Sequence, residues 1–101
     1  MKYINLFEKE NVSKLCYGTL SLSNLQNFDT VENKVKLLNY AYGKGINFFD
    51  TAELYDNYNI LRRFIKGKDR DKIVLASKSY AYDKNTAEYS INKALKEMNT
   101  D

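Results

Sequence analysis

Three side chains that can transfer protons follow two short apolar runs of this sequence. Asp50 comes directly after the run at residues 46–49, Tyr55 follows in the next loop, and Lys78 follows the run at residues 73–76. A carboxylate keeps a neighbouring ammonium charged and oriented, and an ammonium in turn favours the ionised form of a phenol. Together the three groups could protonate a carbonyl oxygen while a hydride arrives at its carbon. Each residue type alone is common at a helix cap or on a surface, so spacing by itself does not name a reaction.

The elements that must position these groups alternate between strands and helices. Short strands are predicted at residues 14–17, 46–49 and 73–76, and the last run is uniformly apolar, as is typical of a strand covered on both faces. Apolar residues at helical spacing predict a helix after each strand. The first helix is predicted to begin with a capping box at Asp29 and to end at Gly43. The second is predicted over residues 57–66, with its end at Gly67. The third is predicted to begin with a capping box at Asn85 and to end at Asn99.

This alternation predicts parallel strands joined by right-handed helical crossovers. Residues 1–13 predict a small hairpin arm with its turn at residues 8–11, and residues 14–101 predict a single βαβαβα domain. Functional residues of parallel α/β folds gather beyond the carboxyl ends of the strands. Asp50 and Lys78 both occupy that edge, and Tyr55 lies within reach of it.

Composition excludes several classes of function. The net charge is +3 over 101 residues and the basic residues are scattered, so we expect no nucleic-acid surface. No apolar run approaches the roughly 20 residues of a membrane span, so we expect no membrane partner. Histidine is absent, which removes the commonest metal ligand, and we expect no metal site. The single cysteine, Cys16, is expected to be packed, and the absence of an internal disulfide predicts a cytoplasmic protein.

Four segments carry a resemblance to a known family. They are residues 12–15 leading into Gly18-Thr19, residues 45–55 (GINFFDTAELY), residues 70–78 (RDKIVLASK) and residues 94–101 (ALKEMNTD). Over its full length the chain resembles the N-terminal part of the aldo-keto reductases, and the Asp-Thr-Ala-x-x-Tyr motif is the most specific segment. The resemblance implies the N-terminal portion of a (β/α)8 TIM barrel, with three parallel βα units preceded by a short β-hairpin.

The resemblance also implies an activity and a cofactor. The family reduces aldehydes or ketones to alcohols with NADPH, through a tetrad of Asp, Tyr, Lys and His. Tyr55 would be the general acid, Lys78 its partner, and Asp50 the residue that pairs with the lysine. Gly18, Thr19, Asp50 and Thr51 would line the nicotinamide side of the pocket.

The chain departs from the family pattern in ways that predict its behaviour. A complete barrel takes roughly 250 residues, the tetrad histidine of the family lies on the fourth strand, and Asp56 stands where a glycine is usual. We therefore expect an N-terminal fragment that is inactive alone, with a small carbonyl substrate only once the barrel is completed. The alternative is a non-catalytic module that forms homo-oligomers, or completes a partner barrel, through exposed strand edges. An open doubly wound sheet is a third reading, but the Gly-x-Gly-x-x-Gly motif of dinucleotide-binding folds is absent.

Overall fold

A computed structural model describes the protein over residues 1–101. Five short strands and three helices follow one another along the chain. They are β1 (Tyr3–Leu6), β2 (Lys9–Ser13), β3 (Tyr17–Gly18), α1 (Val31–Gly43), β4 (Phe48–Asp50), α2 (Tyr58–Ile65), β5 (Val74–Ala76) and α3 (Lys84–Met98). None of the three helices combines the length and the apolar character that a membrane crossing requires.

The first two strands form an antiparallel hairpin in which Tyr3 lies opposite Ser13. The predicted position of its turn is wrong. The chain reverses at Phe7 and Glu8, and β2 already begins at Lys9. Phe7 adopts a positive φ of 53°, which accommodates a tighter reversal than the polar residues 8–11 suggested.

Asn47 attaches the hairpin to the amino-terminal end of the sheet. Its side-chain oxygen accepts a hydrogen bond of 2.8 Å from the amide of Ser13, and its side-chain amide donates to the carbonyl of Asn11. The Ser13 hydroxyl oxygen accepts a hydrogen bond from the backbone amide of Asn47 in return. The strand that follows begins at Phe48, two residues later than predicted.

The remaining strands form a parallel sheet in the order β3-β4-β5, as the alternation predicts. All three are shorter than predicted. The strand expected at residues 14–17 begins only at Tyr17, and Ile73 lies before β5. Gly18 pairs with Asp50, and Asp50 pairs with Ala76, so the carboxyl ends of the strands meet at one edge.

The helix starts differ from the prediction by one or two residues. Thr30 caps α1, because its hydroxyl oxygen accepts from the amide of Asn33, whereas Asp29 lies one residue before the cap. Asp83 caps α3 through the amide of Thr86, so the predicted cap at Asn85 is wrong. In each case another residue with a side-chain oxygen lies within two positions of the predicted cap, and the pattern does not choose between them.

The glycine that ends α1 is Gly45, with a φ of +100°, whereas Gly43 remains helical. This positive φ is strained for any residue with a Cβ, and a Cβ here would also come within 2.8 Å of the Tyr3 hydroxyl oxygen. The predicted ends at Gly67 and Asn99 are confirmed, because both residues adopt positive φ beyond the helices.

The apolar core lies on the face of the sheet that the helices cover. Phe49 is fully buried and its ring centroid lies 4.8 Å from that of Phe64 of α2. On the opposite face Phe48, Asp50, Val74 and Ala76 are only partly buried. The prediction that the last strand is covered on both faces is therefore wrong for this chain. We call this second surface the open face of the sheet.

Candidate active site

The carboxyl ends of β4 and β5 place Asp50 and Lys78 in direct contact. The ammonium nitrogen Nζ of Lys78 donates to Oδ2 of Asp50 and to the backbone carbonyl of Thr51, each at 2.8 Å. The side chains of the pair remain 51% and 37% exposed, so the pair contributes little to folding stability. Its main effect is to fix where the lysine ammonium lies.

Tyr55 lies beside the same ammonium. The Nζ atom of Lys78 is 5.0 Å from the centroid of the Tyr55 ring, within the range of a cation–π contact. Desolvation lowers the pKa of Lys78, but hydrogen bonding and charge from Asp50 and Tyr55 raise it by more, so the net shift is upward. Lys78 is therefore a permanent cation at neutral pH. The structure brings together all three residues that the sequence predicted as catalytic.

A short 3-10 turn, Glu53–Tyr55, carries the tyrosine. The backbone amide of Glu53 donates to the carbonyl of Lys78, which ties the turn to the segment after β5. The backbone amide of Tyr55 donates to the carbonyl of Ala52. Asp56 then adopts a left-handed conformation, with φ of 50° and ψ of 43°. That conformation lets the chain pass from the turn into α2 within two residues. It also explains why a glycine would suit this position.

The residues predicted to line the nicotinamide fall into two groups. Gly18 and Asp50 lie at the end of neighbouring strands on the open face. Thr19 and Thr51 are fully buried, and their side chains are engaged elsewhere. Cofactor binding by all four stays a prediction, and Thr19 and Thr51 would act through their backbone or by supporting their neighbours.

Asn57 is the buried residue that joins these threonines, and sequence reasoning missed it. Its side-chain oxygen accepts from the Thr51 hydroxyl at 2.7 Å, and its amide donates to the carbonyl and the hydroxyl oxygen of Thr19 at 3.0 and 3.1 Å. The network links the ends of β3 and β4 beneath the site. Asn57 occupies the N-cap position of α2 but makes no side-chain cap bond there, and no sequence signal distinguishes these two uses of an asparagine.

A small cavity of about 170 Å³ opens next to the tyrosine and the lysine. Its lining residues are Ala52, Leu54, Tyr55, Lys78, Ser79 and Tyr80. Leu54 and Tyr80 are largely exposed, so apolar and aromatic surface borders the two ionisable groups. The cavity therefore places apolar and aromatic surface next to a phenol and an ammonium that can donate protons.

Cys16 also lies near this site, and the prediction that it is packed is wrong, because the structure exposes it. Partial desolvation and the nearby Asp50 carboxylate raise the pKa of its thiol, with Lys78 opposing. The thiol therefore stays protonated at neutral pH and is a poor nucleophile. No group of three or more metal-ligating side chains converges in the structure.

Comparisons with known proteins agree with this geometry. The sequence model of the "Aldo/keto reductase family" matches residues 14–101. The curated protein "Probable aldo-keto reductase 1" of Glycine max is 37% identical over 71 residues, which cover 66% of this chain and 20% of that protein. The chain thus spans about a fifth of the length of this relative.

Solved structures of aldo-keto reductases share the fold. A thermostable aldo-keto reductase crystallised with the inhibitor epalrestat superposes with a TM-score of 0.88 at 26% identity, covering 100% of this chain and 40% of its own. An aldo/keto reductase from Brucella melitensis superposes with a TM-score of 0.67 at 26% identity, covering 85% of this chain and 32% of its own. The fold is that of the N-terminal part of a TIM barrel, as predicted. This chain belongs to the aldo/keto reductase family.

Proposed function

We propose that the chain supplies the proton-donating part of the active site of an NADP(H)-dependent oxidoreductase that reduces aldehydes or ketones to alcohols. The observation that carries the proposal is the contact of Lys78 with both Asp50 and Tyr55 at the open ends of two neighbouring strands. The family generally uses NADP(H), and oxidoreductase chemistry is its common activity.

In the proposed reaction each residue has a separate role. The O–H bond of Tyr55 breaks as its proton moves to the carbonyl oxygen of the substrate. The positive charge of Lys78 offsets the negative charge that this leaves on the phenol oxygen. Asp50 and the Thr51 carbonyl hold the ammonium in place through two hydrogen bonds. A bound reduced nicotinamide would supply the hydride to the carbonyl carbon.

Free space at Gly18 supports the placement of a nicotinamide ring on the open face. No atom lies within 4 Å of a Cβ placed at Gly18, so space is available above the end of β3. Asp50 is the register partner of Gly18, which puts this space beside the proton-donating groups. Contacts to the rest of the dinucleotide would come from the further strand–helix units of a complete barrel.

The cavity beside Tyr55 supports a small carbonyl substrate with an apolar or aromatic substituent. Its volume of about 170 Å³ suits a substituent no larger than about one six-membered ring next to the reacting group. Leu54 and Tyr80 would contact that substituent. We place the protein in the cytosol, where the exposed Cys16 thiol would remain reduced.

A second candidate function, a non-catalytic module that assembles through its sheet edges, is supported by a groove at the last strand. A groove of about 410 Å³ runs between β5 and α3, and Leu75, Ile91, Ala94 and Thr100 lie along it. The outer edge of β5 has no strand partner in the described chain. A further strand, from another copy or from a longer barrel, would pair with this edge and cover the groove.

One set of measurements separates the two candidates. NADPH is titrated into the purified chain and followed by cofactor fluorescence, reduction of a broad-range aldehyde is assayed, and mass is measured by light scattering. Saturable binding with turnover that Tyr55→Phe removes, while binding is retained, supports the reductase. Oligomers without any binding up to millimolar NADPH would instead favour the module and overturn catalysis by this chain on its own.

A further inference from the structure

The segment between β3 and α1 makes a contact with the site that the proposed chemistry does not use. The hydroxyl of Ser23 donates a hydrogen bond of 2.6 Å to the backbone carbonyl of Tyr55. Ser23 is 1% exposed whereas Tyr55 is partly buried, so the bond is shielded from water on the serine side. It is the contact that links the tyrosine to the first strand–helix unit.

Ser23 is itself fixed by the turn that it begins, residues 23–27, which we call the clamp turn. The Ser23 carbonyl accepts from the amides of Gln26 and Asn27, and its hydroxyl oxygen accepts from the amide of Leu25. With its one hydroxyl proton directed at Tyr55, Ser23 has its hydrogen-bonding groups committed to a single geometry.

A buried lysine of α1 holds the other end of the clamp turn. Lys34 is 1% exposed although it is charged, and its ammonium donates to the side-chain oxygen of Asn24 at 2.9 Å and to the carbonyl of Asn27 at 2.7 Å. Burying an ammonium costs free energy unless it is hydrogen-bonded. A movement of the clamp turn that removed these acceptors would therefore destabilise the folded chain. The position also has a sequence signal, because Lys34 falls at helical spacing from Val31 and Leu38 on the apolar stripe of α1.

The other backbone hydrogen bonds of the turn that carries Tyr55 are to Lys78 and within the turn itself, and the Tyr55 ring contacts Lys78, so Ser23 supplies support from a different part of the chain. The side chain of Tyr55 is only partly buried, its turn contains three residues, and the next residue, Asp56, is in the left-handed region. We propose that Ser23 is a positioning residue for Tyr55, and that Lys34 acts through the clamp turn to keep Ser23 in place. The reason for positioning Tyr55 rests on its proposed role as proton donor. The contacts themselves, and the test that follows, do not depend on turnover.

The test is an NMR comparison of variants of the full chain. In the parent, we expect a cross-peak between the ring protons of Tyr55 and the ε-methylene of Lys78, since the ammonium lies 5.0 Å from the ring centroid. Ser23→Ala is expected to lose this cross-peak and to lower the pKa of Lys78 towards its value in Tyr55→Phe, because the phenol contributes to the upward shift. Ser21→Ala is the matched control, since the Ser21 hydroxyl is exposed and its contact with Gly18 is 3.5 Å long.

An unchanged cross-peak and an unchanged Lys78 titration in folded Ser23→Ala would overturn the proposal. Should that variant fail to fold, Asn24→Ala decides the matter, because Asn24 is exposed and its removal takes away one acceptor of Lys34. A weaker cross-peak is expected there, and an unchanged one overturns the role of the clamp turn. Absence of carbonyl reduction by the parent and by every variant would count against catalysis by this chain on its own and leave this result intact.

Discussion

The two faces of the parallel sheet differ in what they do. The covered face holds Phe49 against Phe64 and carries most of the apolar burial. The open face carries Asp50 and leads to Lys78, with side chains that remain partly in water. Stability and chemistry are therefore supplied by alternate residues of the same short strands, because successive side chains of a strand point to opposite faces. Substitutions of neighbouring residues should affect different properties.

The largest expected effect is a loss of stability from the covered face. Phe49→Ala should lower the free energy of unfolding by about 3–5 kcal/mol, because it removes a fully buried ring. Phe48→Ala, one residue away and partly exposed, should cost clearly less. Urea unfolding followed by circular dichroism measures both, and equal losses would break the distinction between the faces.

Asn57 is buried and also links the strand ends beneath the candidate site, so it bears on both stability and chemistry. Asn57→Ala should lower the free energy of unfolding by about 1–3 kcal/mol, because the buried Thr19 and Thr51 would each lose a hydrogen-bond partner. Asn59→Ala, on the exposed side of α2, is the control and should change little. A loss of similar size in the control would show that the effect comes from the helix rather than from the network.

Backbone strain lies on the site side of the molecule. Asp56→Gly should raise the free energy of unfolding by about 1 kcal/mol, since glycine adopts the left-handed conformation at lower cost. Thermal unfolding of the two proteins measures the difference. A decrease in stability would mean that the Asp56 side chain contributes more than its backbone conformation costs.

The ion pair of the open face should matter little for folding. Asp50→Asn and Lys78→Met should each change the free energy of unfolding by less than about 1 kcal/mol, because both side chains remain substantially exposed. The chemistry proposed for the site would nevertheless be lost. A change as large as that of Phe49→Ala would assign a structural role to the pair.

The smallest effect on stability is expected at Asp83, the residue that caps α3. Hydrogen bonds from the backbone and the side chain of Thr86 hold the pKa of Asp83 below its usual range. A carboxylate with a lowered pKa in the folded state stabilises the protein above about pH 4, and this contribution is lost as the pH falls through the folded-state pKa. The protection of amides at the start of α3, taken as the intrinsic exchange rate divided by the measured rate, should therefore fall as the pH is lowered from 5 to 3, and Asp83→Asn should remove that fall.

Much of the fold could be predicted from the sequence because its signals are local. The apolar stripes located the three helices, and the apolar runs located the strands that deliver Asp50 and Lys78. Exact caps could not be predicted, since Asp29 and Thr30 are adjacent and both residue types cap helices. The coverage of the last strand was misjudged because an apolar run does not reveal what lies on its second face.

The candidate site was predictable only in the residues that touch the reacting groups. Asp50, Tyr55 and Lys78 could be identified from their positions after strands and from the family motif. Ser23 and Asn57 could not, because their hydrogen bonds join segments far apart in the chain and the polar loops around them are ordinary in composition. Tertiary contacts decide which polar residue becomes buried.

The pairing of the strands has a consequence for the order in which the chain folds. Tyr3 meets Ser13 across a tight reversal, whereas Tyr17 meets Phe49 only after α1 has been traversed. A hairpin forms in about 1–10 μs, while closing a longer loop costs more entropy and slows the pairing of parallel strands. The contacts between β1 and β2 should therefore form before the pairing of β3 with β4.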